Sequence, residues 1–187
     1  MYDVIAKIKG AVPIMFSRYA LPAGPDDKKK QKKQTVREKM WIDKKGVYIP
    51  TDNLRMMLIG NRFRTGAAKI YGTHIESGKG TKYLDFCKAC VYVTGDNGKV
   101  YFKPKRTKHD DVDIRSFVNA GKPPSRSLTE RPILTTPWSL TFTVQVTDDS
   151  IPEDKIREFY ECAGMRCGLG VYGPTFGRFI VEEWKPQ

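Results

Sequence analysis

Hydrophobic and polar positions alternate at both ends of this chain, and a longer period appears between them. Val4, Ala6 and Ile8 interleave with Ile5, Lys7 and Lys9, the two-residue period of a strand with one buried face. Val12-Pro-Ile-Met-Phe16 resumes that strand, with Pro13 marking a bulge or an edge. Trp138, Leu140, Phe142, Val144 and Val146 alternate with Ser139, Thr141, Thr143, Gln145 and Thr147, the clearest strand in the sequence. Phe179, Val181 and Trp184 predict a closing strand with one break in its alternation. Helical spacing occurs at Leu54, Met57, Leu58 and Phe63, behind Thr51 or Asp52 as the cap. It returns at Ile151, Ile156, Phe159, Tyr160 and Ala163, predicting a helix that runs to about Gly164. Ser150-Ile-Pro-Glu153 supplies its capping box.

Turn chemistry fills in the rest. Asp43-Lys-Lys-Gly46 predicts a short hairpin between Trp41-Ile42 and Val47-Tyr-Ile-Pro50, and Gly95-Asp-Asn-Gly98 predicts another between strands at Cys87–Val93 and Val100–Lys103. Gly72, Gly78 and Gly80, with Lys79 and Lys82, predict a loop over 71–82. Two stretches read as excursions from the regular pattern, at about 17–46 and 104–136. Without them the order is βαββαβ. The expected fold is therefore α+β and ferredoxin-like (RRM-like): one domain over 1–187, an antiparallel sheet backed by two helices, with two insertions.

Composition narrows the partners. A hydrophobic content of 40% is enough for a core, while 33 Lys and Arg against 21 Asp and Glu give a formal charge of +12. Such a balance favours nucleic acid first and an anionic membrane second, although solubility alone also accounts for some excess charge. No run of 18 apolar residues is present, and the N-terminus alternates where a signal peptide would be uniformly apolar. The expectation is a cytoplasmic protein, not membrane-bound, with its four cysteines reduced. Lys28, Lys29, Lys30, Lys32 and Lys33 read either as a solvated tether or as an arm that closes over a polyanion through counterion release.

The candidate chemistry lies in the last quarter. Gly168, Gly170, Gly173 and Gly177 lead into the closing strand, and glycine loops of this kind can present backbone N–H groups to a phosphate. Arg178 adds a guanidinium beside them. Cys87-x-x-Cys90 and Cys162-x-x-x-x-Cys167 invite a zinc reading, but positions three apart on a strand point to opposite faces, which favours buried thiols. Base-stacking rings, if used, are sought at Tyr19, Trp41, Phe117 or Tyr172. No Walker loop, dinucleotide fingerprint, Ser-His-Asp set or metalloprotease helix occurs, and no cofactor is expected.

Three features together resemble the RAMP superfamily, and within it the backbone-type CRISPR subunits that coat guide RNA. They are Gly10-Ala-Val-Pro-Ile-Met15 at the end of the first strand, Tyr48-Ile-Pro-Thr-Asp-Asn-Leu-Arg-Met-Met-Leu58 before and through the first helix, and the loop Gly168–Phe179. The resemblance implies a ferredoxin-like fold with thumb- and web-like insertions, and single-stranded RNA or DNA as ligand. It implies a phosphate contact for Arg55, with Arg62 and Arg64 as further candidates. It also implies self-association along the strand into a homo-oligomer or filament, or contact with other RAMP subunits. Cleaving relatives place an aspartate before the first helix, where this chain has Asp26 and Asp27 in a different setting, and processing ribonucleases of the superfamily use histidine, for which His74 and His109 are the candidates. The leading expectation is a binder without catalysis. The alternatives are an endoribonuclease and a subunit mimic that inserts into another complex.

Overall fold

Val4, Ala6 and Ile8 are fully buried while Ile5 and Lys9 face outward, so the N-terminal alternation is the two-faced pattern of β1 (Tyr2–Gly10). The computed structural model describes residues 1–18, 34–119 and 125–187. After β1 come β2 (Ile14–Met15), β3 (Ile42–Asp43) and β4 (Gly46–Pro50). Helix α1 (Thr51–Ile59) follows, then the small hairpin of β5 (Gly60–Asn61) and β6 (Arg64–Thr65). Helices α2 (Ala67–His74) and α3 (Gly80–Cys90) lead to β7 (Val91–Thr94) and β8 (Lys99–Tyr101). A ribbon of β9 (Asp111–Asn119) and β10 (Ser125–Leu134) precedes β11 (Ser139–Val146). Helix α4 (Glu153–Cys162) and strand β12 (Phe179–Pro186) complete a mixed α/β fold with four helices among the described residues.

The principal sheet has the order β12-β1-β11-β7, and every neighbouring pair is antiparallel. Its inner face, Val4, Ala6, Ile8, Leu140, Phe142, Val144 and Val146, packs with Leu54, Leu58, Tyr83, Ile156, Phe159 and Tyr160 from the helices. Phe159 lies 5.4 Å from Tyr71 and 5.0 Å from Tyr83 between ring centroids, and Tyr160 lies 5.6 Å from Phe142. Each large apolar side chain so buried contributes roughly 1.5–3 kcal/mol, which makes this layer the main source of stability. Smaller sheets flank it, β2-β10-β9 and β3-β4-β8.

Several elements differ from the sequence reading. Residues 71–82, expected as a loop, belong largely to α2 and α3, and the strand expected at Cys87 begins only at Val91. Tyr83 and Cys87, four apart, share the buried side of α3, a helical spacing that the glycines concealed. Gly72 is needed because a Cβ there would lie 2.6 Å from the Lys79 carbonyl carbon, where α2 meets the start of α3. The turn at Asn97 and Gly98 does have consecutive positive φ of 51° and 73°, yet its two strands part, β7 to β11 and β8 to β4. Helix α1 stops at Ile59, so Phe63 sits exposed in the β5–β6 turn.

Neither expected side-chain cap forms. Helix α1 starts directly behind Pro50 and α4 behind Pro152, each in the N-cap position with an extended ψ and with no side-chain acceptor to offer. Glu153, expected to close the capping box, instead accepts a hydrogen bond from Trp184 Nε1 on β12. The 104–136 excursion is an ordered ribbon over much of its length, and β2 joins it instead of extending β1.

Candidate nucleic-acid interface

Helix α4 runs through a π-helical turn (Ala163–Cys167) into the glycine loop. Gly168, Gly170 and Gly177 have φ of 70°, 82° and 72°, values that only glycine adopts without penalty. Close approach adds a second requirement. A Cβ would lie 2.6 Å from Phe176 O at Gly168, 2.5 Å from Met15 O at Gly170, 2.0 Å from Cys167 O at Gly173 and 1.8 Å from Leu169 O at Gly177.

Part of the loop's N–H set is spent on internal bonds, while the N–H groups of Gly170, Tyr172, Gly173 and Thr175 have no acceptor among the described residues. Leu169 N donates to Gly177 O (2.8 Å), Gly177 N to Pro13 O (2.8 Å), Val171 N to Met15 O (3.1 Å), and Gly168 N to Ala163 O (2.8 Å). These bonds stitch the loop to itself and to the β1–β2 connection, making it a rigid wall. What it offers a ligand is shape, fixed position and those four N–H groups.

That wall bounds a cleft of ≈ 290 Å³ lined by residues 168–171, the α1 residues Asn53, Met56 and Met57, the β5–β6 hairpin, and Phe16, Arg18 and Trp41. Arg64, on β6, reaches across to the loop and donates from Nη2 to Gly168 O at 3.3 Å. Arg18 lies over the Trp41 ring with Cζ 4.7 Å from its centroid. Two guanidiniums therefore line the cleft, and no carboxylate is among the described lining residues. Such a site favours an anion, and a guanidinium fork suits a phosphate in particular. Arg18 and Asn53 were missed in the sequence, since Arg18 borders the lysine-rich excursion and Asn53 reads as one polar residue of the first helical turn.

The other expected contacts are scattered. Arg55 donates from Nε to Val91 O (2.8 Å) and from Nη2 to Lys88 O, with Cζ 5.1 Å from the Tyr92 ring centroid. It thereby pins the C-terminal end of α3 to α1, a structural task beside the expected phosphate contact. Arg62 stands over Phe63 at 4.7 Å on the exposed hairpin turn. The Arg178 side chain is exposed and lies outside the cleft lining, while its carbonyl accepts from Ala11 N at 2.8 Å. Lys28, Lys29, Lys30, Lys32, Lys33, Asp26, Asp27 and Tyr19 lie outside the described residues.

The cysteines belong to the core. Cys87 and Cys90 are on a helix, not a strand, which removes the opposite-face argument, yet Cys87, Cys162 and Cys167 are buried. Burial pushes the Cys87 thiol up to about 12 and the Cys162 thiol up to about 11. Among the described residues no group of three or more His, Cys, Asp or Glu could hold a metal ion. His74 is exposed at the end of α2 and His109 is half-buried in the 104–110 segment; neither side chain has an ion pair among the described residues.

The densest polar cluster lies between α2, α3 and α4. Glu76 accepts from Lys155 Nζ (2.6 Å), Lys79 Nζ (2.8 Å) and Tyr83 Oη, and Glu158 accepts from Lys155 and Tyr71. Hydrogen bonds from Lys155 first, then Lys79 and Tyr83, pull the Glu76 carboxyl from its ordinary 4.5 to about 2, and Glu158 and Glu76 raise Lys155. Both groups stay ionised near neutral pH, so the cluster ties helices together and is not poised to transfer a proton. Because the folded pKa of Glu76 lies below the unfolded one, its contribution is full above pH 4.5 and fades as pH falls toward 2. Acid titration of stability, followed by circular dichroism, should show a slope in that window that Glu76→Gln reduces.

No family model matches the sequence, and no curated protein does. Among solved structures, the fold is similar to a chain in the cryo-EM structure of the type III-B Cmr-beta bound to cognate target RNA, with a TM-score of 0.53 and 12% identity. The match covers 99% of this chain and 60% of that chain, so the likeness is one of fold and this chain spans less than two thirds of its neighbour. Among the described residues no helix is long and apolar enough to cross a membrane.

Proposed function

We propose that this chain is a RAMP-like, CRISPR-associated subunit that holds single-stranded nucleic acid, RNA before DNA, in the cleft between the glycine loop and α1. The single observation that carries this reading is the cleft lining, in which Arg64 reaches across to Gly168 O of the glycine loop and Arg18 lines the same cleft. Two further points support it. The strand order β12-β1-β11-β7, with crossovers through α1–α3 and through α4, agrees with a ferredoxin-like βαββαβ reading in which 17–46 and 104–136 are insertions. The similar solved chain comes from an assembly bound to target RNA, which favours RNA and protein subunits as partners.

In this reading Arg64 and Arg18 take phosphates, and Gly168, Gly170, Gly173 and Gly177 hold the wall in place. Arg62, Arg178 and the five lysines of 28–33 add long-range attraction. Arg55 acts on the fold. A cleft this short suits a few nucleotides, so copies lying side by side along one strand would gain affinity from effective concentration.

Fluorescence anisotropy with a labelled single-stranded RNA tests the reading. With about four phosphate contacts, affinity should fall roughly 50-fold between 50 and 200 mM salt. An affinity flat with salt, or no binding at low salt, would contradict it.

A further inference from the structure

Tyr172 follows the cleft residue Val171 in the chain, and its ring is engaged from the β9–β10 ribbon. It is a non-glycine residue at φ 58°, a conformation that L residues avoid and that recurs where a side chain has a task. Two guanidiniums of the β9–β10 ribbon close on its ring, with Arg115 Cζ 4.7 Å and Arg131 Cζ 5.0 Å from the centroid. Arg115 is itself fixed by Asp113, through contacts of 2.6 and 3.2 Å, and lies 5.6 Å from the Phe176 ring. Arg131 buries Nε and Nη1 with no hydrogen-bond partner among the described residues, so the Tyr172 π cloud is the counterpart its charge has there. Despite both contacts, Tyr172 remains 45% exposed.

We infer that Tyr172 is a stacking platform for one nucleobase, standing beside the phosphate site of the cleft. A turn alone would be served better by glycine or asparagine at this φ, and what tyrosine adds is a flat ring. The two guanidiniums immobilise that ring before any ligand arrives, so little side-chain freedom is lost on stacking. Their charge also draws electron density from the ring, which suits an electron-rich base, and stays attractive to the attached phosphate. Val171 lines the cleft, and its Cα is about 3.8 Å from that of Tyr172 across the peptide. On this inference one nucleotide spans the two, its phosphate in the cleft and its base on the ring. This inference rests on the proposed reading of the cleft and adds a base-contacting position to it.

Titration of wild type, Tyr172→Phe and Tyr172→Leu separates the two claims. The probes are a short single-stranded RNA and a series in which one abasic nucleotide is moved along it. Wild type and the Phe variant should bind about tenfold more weakly when the abasic position meets the platform. The Leu variant should bind intact RNA about tenfold more weakly, lose that discrimination, and keep the wild-type salt slope. A Leu variant that binds like wild type, or still discriminates, overturns the platform and leaves the cleft reading standing. Should the Leu variant fail to fold, the wild-type series decides: indifference to the abasic nucleotide at every position overturns the platform. Wild type that binds none of these RNAs overturns both.

Discussion

Gly177→Ala should lower the melting temperature by roughly 10 °C. The backbone there has φ 72°, which costs an L residue about 1–2 kcal/mol. An alanine Cβ would also stand 1.8 Å from Leu169 O, so the loop must open and strain the paired bonds Leu169 N to Gly177 O and Gly177 N to Pro13 O. Losing one buried hydrogen bond adds about 1–3 kcal/mol, for a total near 3 kcal/mol, and in a domain of this size each kcal/mol shifts the midpoint by about 2–4 °C. Gly78→Ala is the matched control. It has φ 86°, yet nothing lies within 4 Å of its would-be Cβ, so only the conformational cost of about 1 kcal/mol remains. Equal losses in the two variants, measured by thermal unfolding, would show that close packing of the glycine loop is not what requires glycine at 177.

The largest effect on binding is expected from Arg64→Glu. The substitution changes the charge of the cleft by two units at a half-buried position whose Nη2 lies 3.3 Å from the loop carbonyl Gly168 O. Allowing for partial solvent screening, the loss should be about 2 kcal/mol, near 30-fold in affinity at low salt. The slope of affinity against salt should fall by about one phosphate contact. Arg64→Lys keeps the charge and should lose only a few-fold. Arg62→Glu, on the exposed hairpin turn, should have a smaller and more strongly screened effect. If Arg62→Glu proves the more damaging of the two, the ligand lies outside the cleft.

Those expectations depend on tertiary positions that the sequence shows only in part. Val4, Ala6 and Ile8, and Leu140 through Val146, announce the sheet because their alternation is a direct consequence of one dry face and one wet one. The α2–α3 pair is hidden because glycine is a turn signal in most contexts, whereas Gly72 here serves a close crossing of backbones. The glycine loop is visible as composition, but not its hydrogen bonding, since the acceptors Pro13 and Met15 lie more than 150 residues away in the chain. For the same reason Arg55 and Arg64 look alike in sequence. One faces the end of α3 and the other a cleft wall, and only the packing of α1 against its neighbours separates them. Tyr172 was legible as an aromatic ring, but its two guanidinium neighbours come from a ribbon that reads as a charged excursion.

The outer face of the principal sheet offers a contrasting surface. Ile5, Thr141, Thr143 and Gln145 occupy it, and Lys7 there is paired with Glu182 at 2.7 Å and Glu183 at 3.1 Å. Its aromatic side chain at the β7 edge, Tyr92, is engaged by Arg55. With Lys7 neutralised by two carboxylates and Arg55 tied to the Val91 and Lys88 carbonyls, this face offers a phosphate less than the cleft does.

Photo-crosslinking decides between the two surfaces most directly. A short single-stranded RNA carrying 4-thiouracil is bound at low salt, irradiated, and the attached peptides are identified by mass spectrometry. The account predicts crosslinks in 168–177 and in 53–64, reduced by competitor RNA and by Arg64→Glu. Crosslinks confined to the outer sheet face, at 3–9, 92–94 and 139–146, with the glycine loop unmodified, would contradict it.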